Sequence, residues 1–368
     1  MQRFFFSVFF FLSLVALVLT GCAAPVANSP TPAPTPSTAP SPVAPASPLA
    51  PTATTEPSPA AATATVAPVA SATTAPTAAP TVAASPPAQV AATSYPLTIQ
   101  DDHQRSVTLA KRPERIVSIA PSCTEILYAV GAGDKVVGVD SFSNFPPEVK
   151  SKPKVGSTKT NIEQVLALRP DLVCAAGITP ADDIKALEQA KVTVLVLDGQ
   201  SISGVLGDIT LAGQVVGNET AGKQVAASVQ SRIQAVQEKV AGAPRPRVFD
   251  ELDATDPSKP YTVGPGSFVD GLITTAGGQN AFAGANSAYP QVNLEEILHV
   301  DPQIILLSDA PYGNTPEAVA KRTGWAGLTA VKQHAIYPVD DDIMSRPGPR
   351  IADAVETLAK IFHPERFK

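Results

Sequence analysis

The chain has 368 residues, including 38 prolines and 3 cysteines, and carries a formal net charge of −6. A mildly acidic chain lacks the clustered basic surface that phosphate groups require, which argues against a nucleic-acid partner. Three cysteines cannot build a disulfide framework, and a single long apolar stretch, at the N-terminus, argues against a multi-span membrane protein.

The first 22 residues are typical of an exported lipoprotein. One positive charge precedes an uncharged apolar stretch over residues 4–20, which is shorter than the ~20 residues plus anchoring flanks of a membrane-spanning helix. Leu-Thr-Gly-Cys follows at residues 19–22 and resembles the bacterial lipobox, in which the thiol receives a diacylglycerol. We therefore predict a signal peptide over residues 1–22 and lipidation at Cys22. The alternative is a transmembrane anchor that ends at Cys22.

Residues 23–94 have the composition of a linker. They contain 17 of the 38 prolines and one charged residue, Glu56, and nearly all the others are Ala, Thr, Ser or Val. With so few large apolar side chains, burial cannot repay the entropy lost on ordering. We expect a disordered, semi-extended tether without chemistry of its own.

From residue 95 the pattern is that of an α/β protein. A hairpin is predicted over residues 97–109, and strands then alternate with helices, which is typical of a parallel sheet covered on both faces. The predicted strands are 115–119, 135–139, 172–174 and 192–196, and the predicted helices are 122–130, 162–168 and 181–190. Residues 95–218 are therefore expected to form an N-terminal lobe.

A long helix is predicted next, because apolar residues recur every three to four positions from Val225 to Val240. It occupies residues 219–243. A second α/β series follows in residues 244–368, with strands at 247–249, 261–263, 304–307 and 336–339 and helices at 267–275 and 350–362. The predicted fold is two doubly wound α/β lobes joined by one long helix, with a ligand cleft between them. One joining helix should allow only a small closure.

An internal repeat supports two similar lobes. Residues 161–173 align with residues 293–305 with four identities and six conservative exchanges in 13 positions. Asn161 and Asn293 are predicted to cap their helices, which places Glu163 and Glu295 in the first turns, where the helix dipole favours a carboxylate. In open α/β sheets, ligands bind outside the carboxyl ends of the strands, so the cleft is expected at those two edges.

Several motifs resemble the helical-backbone class of ABC-transporter substrate-binding proteins, which capture siderophores, haem and cobalamin. They are Ser-Phe-Ser-Asn-Phe-Pro-Pro at 141–147, Asn-Ile-Glu at 161–163, Pro-Asp-Leu-Val at 170–173, Tyr-Pro-Gln-Val at 289–292 and Arg-Pro-Gly-Pro-Arg-Ile at 346–351. Their order and spacing, over residues 113–368, are most similar to the cobalamin-binding members. The resemblance implies an extracytoplasmic, lipid-anchored monomer that delivers cobalamin to an ABC permease dimer. A ferric siderophore or haem is the alternative ligand.

The resemblance also implies roles for particular residues. Glu163 and Glu295 align with the carboxylates that dock into arginine pockets of the permease; helix capping alone is the alternative explanation. Large loop aromatics suit a flat macrocycle. At Lys159 and Ala176 the sequence departs from the tryptophans of the family pattern, and Lys159 would suit an anionic siderophore or a propionate. The candidate ligand-binding residues are Phe142, Asn144, Ser157, Lys159, Tyr261, Ser267, Tyr289, Tyr312 and Asp342.

Other chemistry has little support in the sequence. The four histidines lack metal-ligand spacing, and neither a Gly-x-Ser-x-Gly elbow nor a Gly-x-Gly-x-x-Gly fingerprint is present. No enzyme activity, cofactor or metal is therefore predicted, and an envelope hydrolase is the remote alternative. Asp340, Asp341 and Asp342 are expected on an extended segment, at a solvated surface or a pocket rim. Cys123 and Cys174 are expected as buried thiols or as one disulfide.

Overall fold

The structure is a computed structural model that describes residues 93–368. The predicted signal peptide, the predicted lipidation site at Cys22 and the predicted linker up to residue 92 lie outside the described residues. Among the helices of residues 93–368, none combines the length and the apolar character needed to cross a membrane.

The N-terminal lobe begins with the expected hairpin, in which β1 (Leu97–Gln100) pairs antiparallel with β2 (Ser106–Leu109). A four-stranded parallel sheet follows in the order β4-β3-β5-β6. Its strands are β3 (Ile116–Ser118), β4 (Val136–Val139), β5 (Leu172–Ala176) and β6 (Val194–Leu197), and its helices are α1 (Pro121–Ala129), α2 (Ile162–Ala167) and α3 (Ala181–Gln189).

Both faces of this sheet are buried, which explains why its strands are continuously apolar. Along β5, Leu172 and Cys174 pack into one apolar cluster together with α1, whereas Val173 and Ala175 pack into another cluster with residues of α2 and α3. Neighbouring strand residues point to opposite faces, so helices cover both sides of the sheet. The lobe is therefore doubly wound, as predicted.

Two long helices follow the N-terminal sheet, and the second leads to the C-terminal lobe. The predicted helix is α5 (Glu219–Val240), and it is preceded by α4 (Ile202–Val215), which is not among the predicted helices. Gly204, Gly207 and Gly213 interrupt the helical pattern of α4, because glycine is a poor helix former. Gly213 is needed for packing: a β-carbon there would lie 2.7 Å from the α-carbon of Gly222 in α5.

The C-terminal lobe contains a second sheet in the order β11-β10-β7-β8, with β9 also paired to β7. Its strands are β7 (Arg247–Asp253), β8 (Tyr261–Thr262), β9 (Gln279–Asn280), β10 (Ile304–Leu307) and β11 (Ile336–Pro338). Its helices are α6 (Phe268–Thr275), α7 (Leu294–Val300), α8 (Pro316–Ala320), α9 (Thr329–Lys332), α10 (Asp341–Met344) and α11 (Ile351–Phe362).

One strand of this sheet departs from the expected parallel arrangement. β8 runs antiparallel to β7, whereas β9, β10 and β11 pair in parallel. The chain reaches β8 through a short loop after β7, without the helical crossover that a parallel neighbour requires. The periodicity of the sequence does not distinguish this short return from a crossover.

One apolar cluster is continuous from lobe to lobe. It contains Leu172 of the N-terminal sheet and Val248 of the C-terminal sheet, and buried residues of α1, α4, α5, α6 and α11 lie between them. Cys123 and Cys174 belong to this cluster and are free thiols, which settles the open question against a disulfide. The Cys123 thiol donates to the carbonyl of Ala175 at 3.1 Å, and burial raises its pKa well above the usual value.

Candidate ligand-binding site

A cavity of about 500 Å³ lies between the lobes, at the carboxyl ends of both sheets. The N-terminal lobe contributes the loops that follow each of its four parallel strands. The C-terminal lobe contributes residues near the starts of α6 and α10, the segment just after α10, and two intervening loops. The lining residues are Pro121, Ser122, Phe142, Ala176, Gly177, Ile178, Asp198, Gly199, Gln200, Phe268, Tyr289, Tyr312, Asp341, Asp342, Ser345, Arg346 and Pro347.

Four of the predicted ligand-binding residues line this cavity: Phe142, Tyr289, Tyr312 and Asp342. Phe142 comes from the N-terminal lobe and the two tyrosines from the C-terminal lobe. The exposed fractions of the three aromatic residues are 53%, 51% and 82%, respectively. Large apolar surfaces left open to solvent in this way mark a binding site.

Two further candidates lie beside the cavity. Ser157 lines a smaller neighbouring cavity of about 230 Å³, which shares Phe142 and Ile178 with the first. Asn144 forms part of the contact between the lobes: its amide donates to Asp342 at 2.7 Å, and its carbonyl oxygen accepts from Arg346 at 2.8 Å.

Three candidates lie outside both cavities. Lys159 is exposed and lines neither of them. Tyr261 belongs to β8, where it pairs with Asp253 and Gln291. Ser267 is buried and caps α6, since its hydroxyl accepts from the amide of Asp270 at 3.2 Å and donates to the carbonyl of Gly264 at 2.9 Å. Its hydroxyl is thus already used by the fold.

Sequence reasoning missed several lining residues. Ile178 is 85% exposed in the loop after β5, and a bulky apolar residue between glycine and proline in such a loop was a usable signal. Arg346 belongs to a motif that carried the family resemblance, but it was not assigned to the site. No sequence pattern marks Asp198 or Asp341 as a binding residue, because their position beside the cavity depends on how the lobes meet.

Acidic groups dominate the charge of the cavity lining. Asp198, Asp341 and Asp342 contribute three carboxylates against one guanidinium, that of Arg346, which forms an ion pair with Asp342. Burial raises the pKa of Asp341, because desolvation disfavours its charged form. Within residues 93–368, no three His, Cys, Asp or Glu side chains converge so as to hold a metal ion.

The expected extended segment at Asp340, Asp341 and Asp342 is wrong. Asp340 caps α10, and its carboxylate accepts from the amide of Asp342 at 3.0 Å. Asp341 and Asp342 therefore occupy the first helical turn and both border the cavity. Aspartate is among the strongest N-caps, and this local bond outweighs the extended pattern.

The lobes also meet through buried charges next to the cavity. Glu125 of α1 accepts from Arg350 Nε at 2.9 Å and from Arg350 Nη2 at 2.6 Å. Arg346 Nη1 approaches the same carboxylate at 3.3 Å. The side chain of Glu125 is only 2% exposed, so this cluster is shielded from water.

The two predicted docking glutamates are exposed at the starts of α2 and α7. Asn161 accepts from the amide of Gln164 at 3.1 Å, and Asn293 accepts from the amide of Glu296 at 3.0 Å, which confirms both predicted caps. Within residues 93–368, neither Glu163 nor Glu295 has an ion-pair partner. Each lobe therefore presents one free carboxylate at equivalent positions of the repeat.

Comparisons with known proteins cover the same region. The model of a family described as periplasmic binding protein matches residues 116–343. An uncharacterised ABC transporter substrate-binding lipoprotein of Bacillus subtilis is 39% identical over 281 residues, which cover 74% of this chain and 88% of the relative. A cobalamin-binding protein of Halobacterium salinarum is 31% identical over 297 residues, which cover 77% of this chain and 79% of the relative.

A solved structure gives the same fold. The periplasmic haem-binding protein of Roseiflexus sp. RS-1, in its apo form, is 29% identical and matches with a TM-score of 0.64. The match covers 69% of this chain and 99% of that protein. The region matched by the family model includes strands of both sheets and the long helix between them.

Proposed function

The chain belongs to the periplasmic binding protein family, and from that membership we propose that it captures cobalamin or a related corrinoid for an ABC importer. It is a substrate-binding protein of the class that includes vitamin B12, haem and siderophore binders. Members of this family bind solutes and are not enzymes, so we propose no covalent chemistry. The identity of the ligand is the part that is proposed.

The observation that carries the proposal is the aromatic cavity between the lobes. Phe142 faces it from one lobe and Tyr289 and Tyr312 from the other. Rings on both sides can pack against a flat macrocycle, and aromatic side chains lose little entropy when they do so. The cavity is open to solvent, so part of a large ligand would project from it.

The charge of the lining favours a corrinoid over an anionic ligand. Arg346 pairs with Asp342, and the remaining carboxyl groups of Asp198 and Asp341 make the lining acidic overall, which disfavours the propionates of haem or the acidic groups of many iron chelates. A corrinoid instead carries uncharged amide groups around its ring, whose N–H groups can donate to carboxylates. Lys159, the cation that would have suited an anionic ligand, lies outside the lining. The 31% identity to a cobalamin-binding protein also supports a corrinoid.

Haem is the second candidate, and one observation favours it. Tyr289 and Tyr312 present phenol groups to the cavity, and a phenolate is a known axial ligand of haem iron. The similarity to a haem-binding protein of the same fold supports this alternative. A ferric siderophore has no specific support from the lining.

Delivery would require docking to a permease, and Glu163 and Glu295 are the proposed contacts. Both carboxylates are exposed and free of ion pairs within residues 93–368, so a basic partner could pair with them without breaking a bond in this chain. Such charge pairs set the orientation and rate of docking more than its affinity. We propose that the protein acts as a monomer outside the cytoplasmic membrane, anchored through Cys22.

Isothermal titration of the full-length chain in detergent micelles tests the ligand. Cyanocobalamin, haemin and a ferric hydroxamate are titrated in parallel. Sub-micromolar one-to-one binding of cyanocobalamin alone supports the corrinoid proposal. Binding of haemin alone supports haem as the ligand. Failure of all three compounds to bind contradicts both the corrinoid and the haem proposals.

A further inference from the structure

Glu125 does not line the ligand cavity, yet its carboxylate is buried where the two lobes meet. We infer that Glu125 is a positioning residue for ligand capture: acting through Arg346 and Arg350, it holds the rim of the cavity in the closed arrangement. The rim is defined here as Phe142, Asn144 and Asp342. Only the ligand-binding part of this inference rests on the proposed function.

The first step is the bond between the lobes. Glu125 belongs to α1, and Arg350 immediately precedes α11. Two N–H groups of Arg350 reach both oxygens of Glu125, at 2.9 and 2.6 Å. A bidentate pair of this kind fixes orientation as well as distance. The pairing also raises the pKa of Arg350, because it favours the charged guanidinium.

The second step leads from Glu125 to the rim. Arg346 Nη1 contacts Glu125 at 3.3 Å and donates to the side chain of Asn144 at 2.8 Å. Arg346 Nη2 donates to the carbonyl of Phe142 at 3.2 Å and also pairs with Asp342. One guanidinium from the C-terminal lobe thus contacts Glu125 and every member of the rim.

The third step concerns the loop of the N-terminal lobe that contains Phe142 and Asn144. The Arg350 guanidinium lies 4.5 Å from the centre of the Phe145 ring, a distance typical of a cation–π contact. The segment from Phe142 to Phe145 is therefore held by both arginines. If Glu125 lost its charge, both arginines would lose their shared partner, and this loop would lose its anchor to the other lobe.

The charges favour a closed state only while the cluster is complete. With the lobes together, Glu125 is 2% exposed and Arg346 and Arg350 are 11% and 16% exposed, so each needs its partners. Removing one member of a buried pair leaves the other uncompensated, which is strongly unfavourable. Opening the lobes would return the groups to water. A neutral side chain at position 125 therefore shifts the balance towards opening.

Replacement of Glu125 by glutamine keeps the volume and removes the charge. Its neighbours Ile126 and Leu127 pack in the core, so α1 retains its apolar anchors. Glu148→Gln is the matched control, because Glu148 borders a cavity beside the same junction, is exposed, and has no ion pair within residues 93–368. Arg346→Gln and the double variant Glu125→Gln/Arg346→Gln complete the set.

The first measurement needs no ligand. Hydrogen–deuterium exchange of the full-length chain in micelles is followed at residues 141–146 and 341–346. Amides there form local bonds within each lobe, for example those of Phe142 to Asp140 and of Ser345 to Asp341, and these bonds should open more often when the segments lose their anchor across the lobes. We expect at least tenfold faster exchange in Glu125→Gln and no change in Glu148→Gln. Unchanged exchange in Glu125→Gln would overturn the inference.

The second measurement is stopped-flow binding of cyanocobalamin. We expect Glu125→Gln to dissociate at least tenfold faster, with an association rate within twofold of the wild type. The loss in the double variant should be smaller than the sum of the two single losses, because Glu125 acts in part through Arg346. Additive losses, or a slower association with unchanged dissociation, would contradict a positioning role.

The two measurements separate the two proposals. If the wild type does not bind cyanocobalamin, the corrinoid proposal fails, and the exchange data still decide whether Glu125 holds the rim. If Glu125→Gln does not fold, Arg350→Gln removes the same bidentate pair from the other lobe and gives the same expected exchange. A normal exchange pattern in Arg350→Gln would then overturn the inference that Glu125 holds the rim.

Discussion

Asn144 and Asp342 bond to each other across the two lobes, the Asn144 amide donating to the Asp342 carboxylate at 2.7 Å. The two residues are 198 positions apart in the chain, so their contact exists only where the lobes meet. It occupies polar groups of both residues. The aromatic side chains of the cavity are not used in bonds between the lobes, so their exposed ring surfaces are available to a ligand.

Phe142→Ala and Tyr289→Ala should each weaken cyanocobalamin binding about 10- to 30-fold, or about 1.4–2 kcal/mol, because each removes an aromatic anchor. Titration calorimetry measures the change. Tyr261→Ala is the control: this tyrosine is comparably exposed, but it lies outside the cavity. An equal loss in the control would show that the ligand binds elsewhere.

Replacing both Glu163 and Glu295 by alanine should abolish ligand uptake and leave cyanocobalamin affinity within twofold of the wild type. The carboxylates are exposed and contribute nothing to the cavity lining. Uptake is measured in cells that carry the importer. Glu317→Ala is the matched control, since Glu317 is also an exposed glutamate in a first helical turn. A large loss of affinity in the double variant would contradict the docking role.

Asn293→Ala should lower the free energy of unfolding by about 1 kcal/mol, the usual cost of removing a helix cap. Asn293 forms a complete capping box, in which Glu296 also accepts from the Asn293 amide at 2.8 Å. The bond from Glu296 goes to the backbone of residue 293 and survives the substitution, so Asn161→Ala, which removes the same forward bond, should cost about as much. Urea denaturation measures both. Asn286→Ala, at an exposed loop residue, should have almost no effect.

The stability of the protein should fall as the pH rises from 5 to 8, in part because of Asp208. Burial, and then the neighbouring Asp102 carboxyl, raise the pKa of Asp208 to about 8 in the folded chain. The unfolded chain releases this proton near pH 4, so folding retains a proton across that interval. One such group can contribute a slope of up to about 1.4 kcal/mol per pH unit.

Asp208→Asn should make this pH dependence shallower. The amide is nearly isosteric and can still accept from the amide of Gly199, which lies 2.9 Å from the Asp208 carboxylate. Urea denaturation at pH 5, 6, 7 and 8 gives the slope for both proteins. Parallel slopes would show that Asp208 is ionised in the folded state at all four pH values.

The sequence predicts the framework of this fold better than the details of its site. The hairpin, the parallel strands, α5 and both asparagine caps follow from local patterns and are present. The helix α4 was missed because glycines interrupt its pattern, and one of them, Gly213, serves a contact with α5, which depends on tertiary packing and not on local preference. Strand direction at β8 depends on the path of a loop, which periodicity does not encode.

In the site, too, local features could be predicted from the sequence and tertiary contacts could not. Phe142, Tyr289 and Tyr312 could be selected because large aromatics on loops at strand ends are informative by themselves. Ser267 was a candidate only because of its position on a strand-to-helix loop, and its hydroxyl caps a helix, a role equally compatible with that position. Arg346 reaches the cavity only because Glu125, Asn144 and Phe142 come from the opposite lobe. No local pattern indicates such a neighbourhood.

The apolar cluster that runs from lobe to lobe has a consequence for the integrity of the chain. The polypeptide passes between the lobes through α5 and the exposed segment 241–245 that follows it. Cutting that segment would break the only covalent link between the lobes within residues 93–368, yet α5 would remain packed against α11 of the other half. The two fragments should therefore stay associated, and halves produced separately should reassemble by complementation.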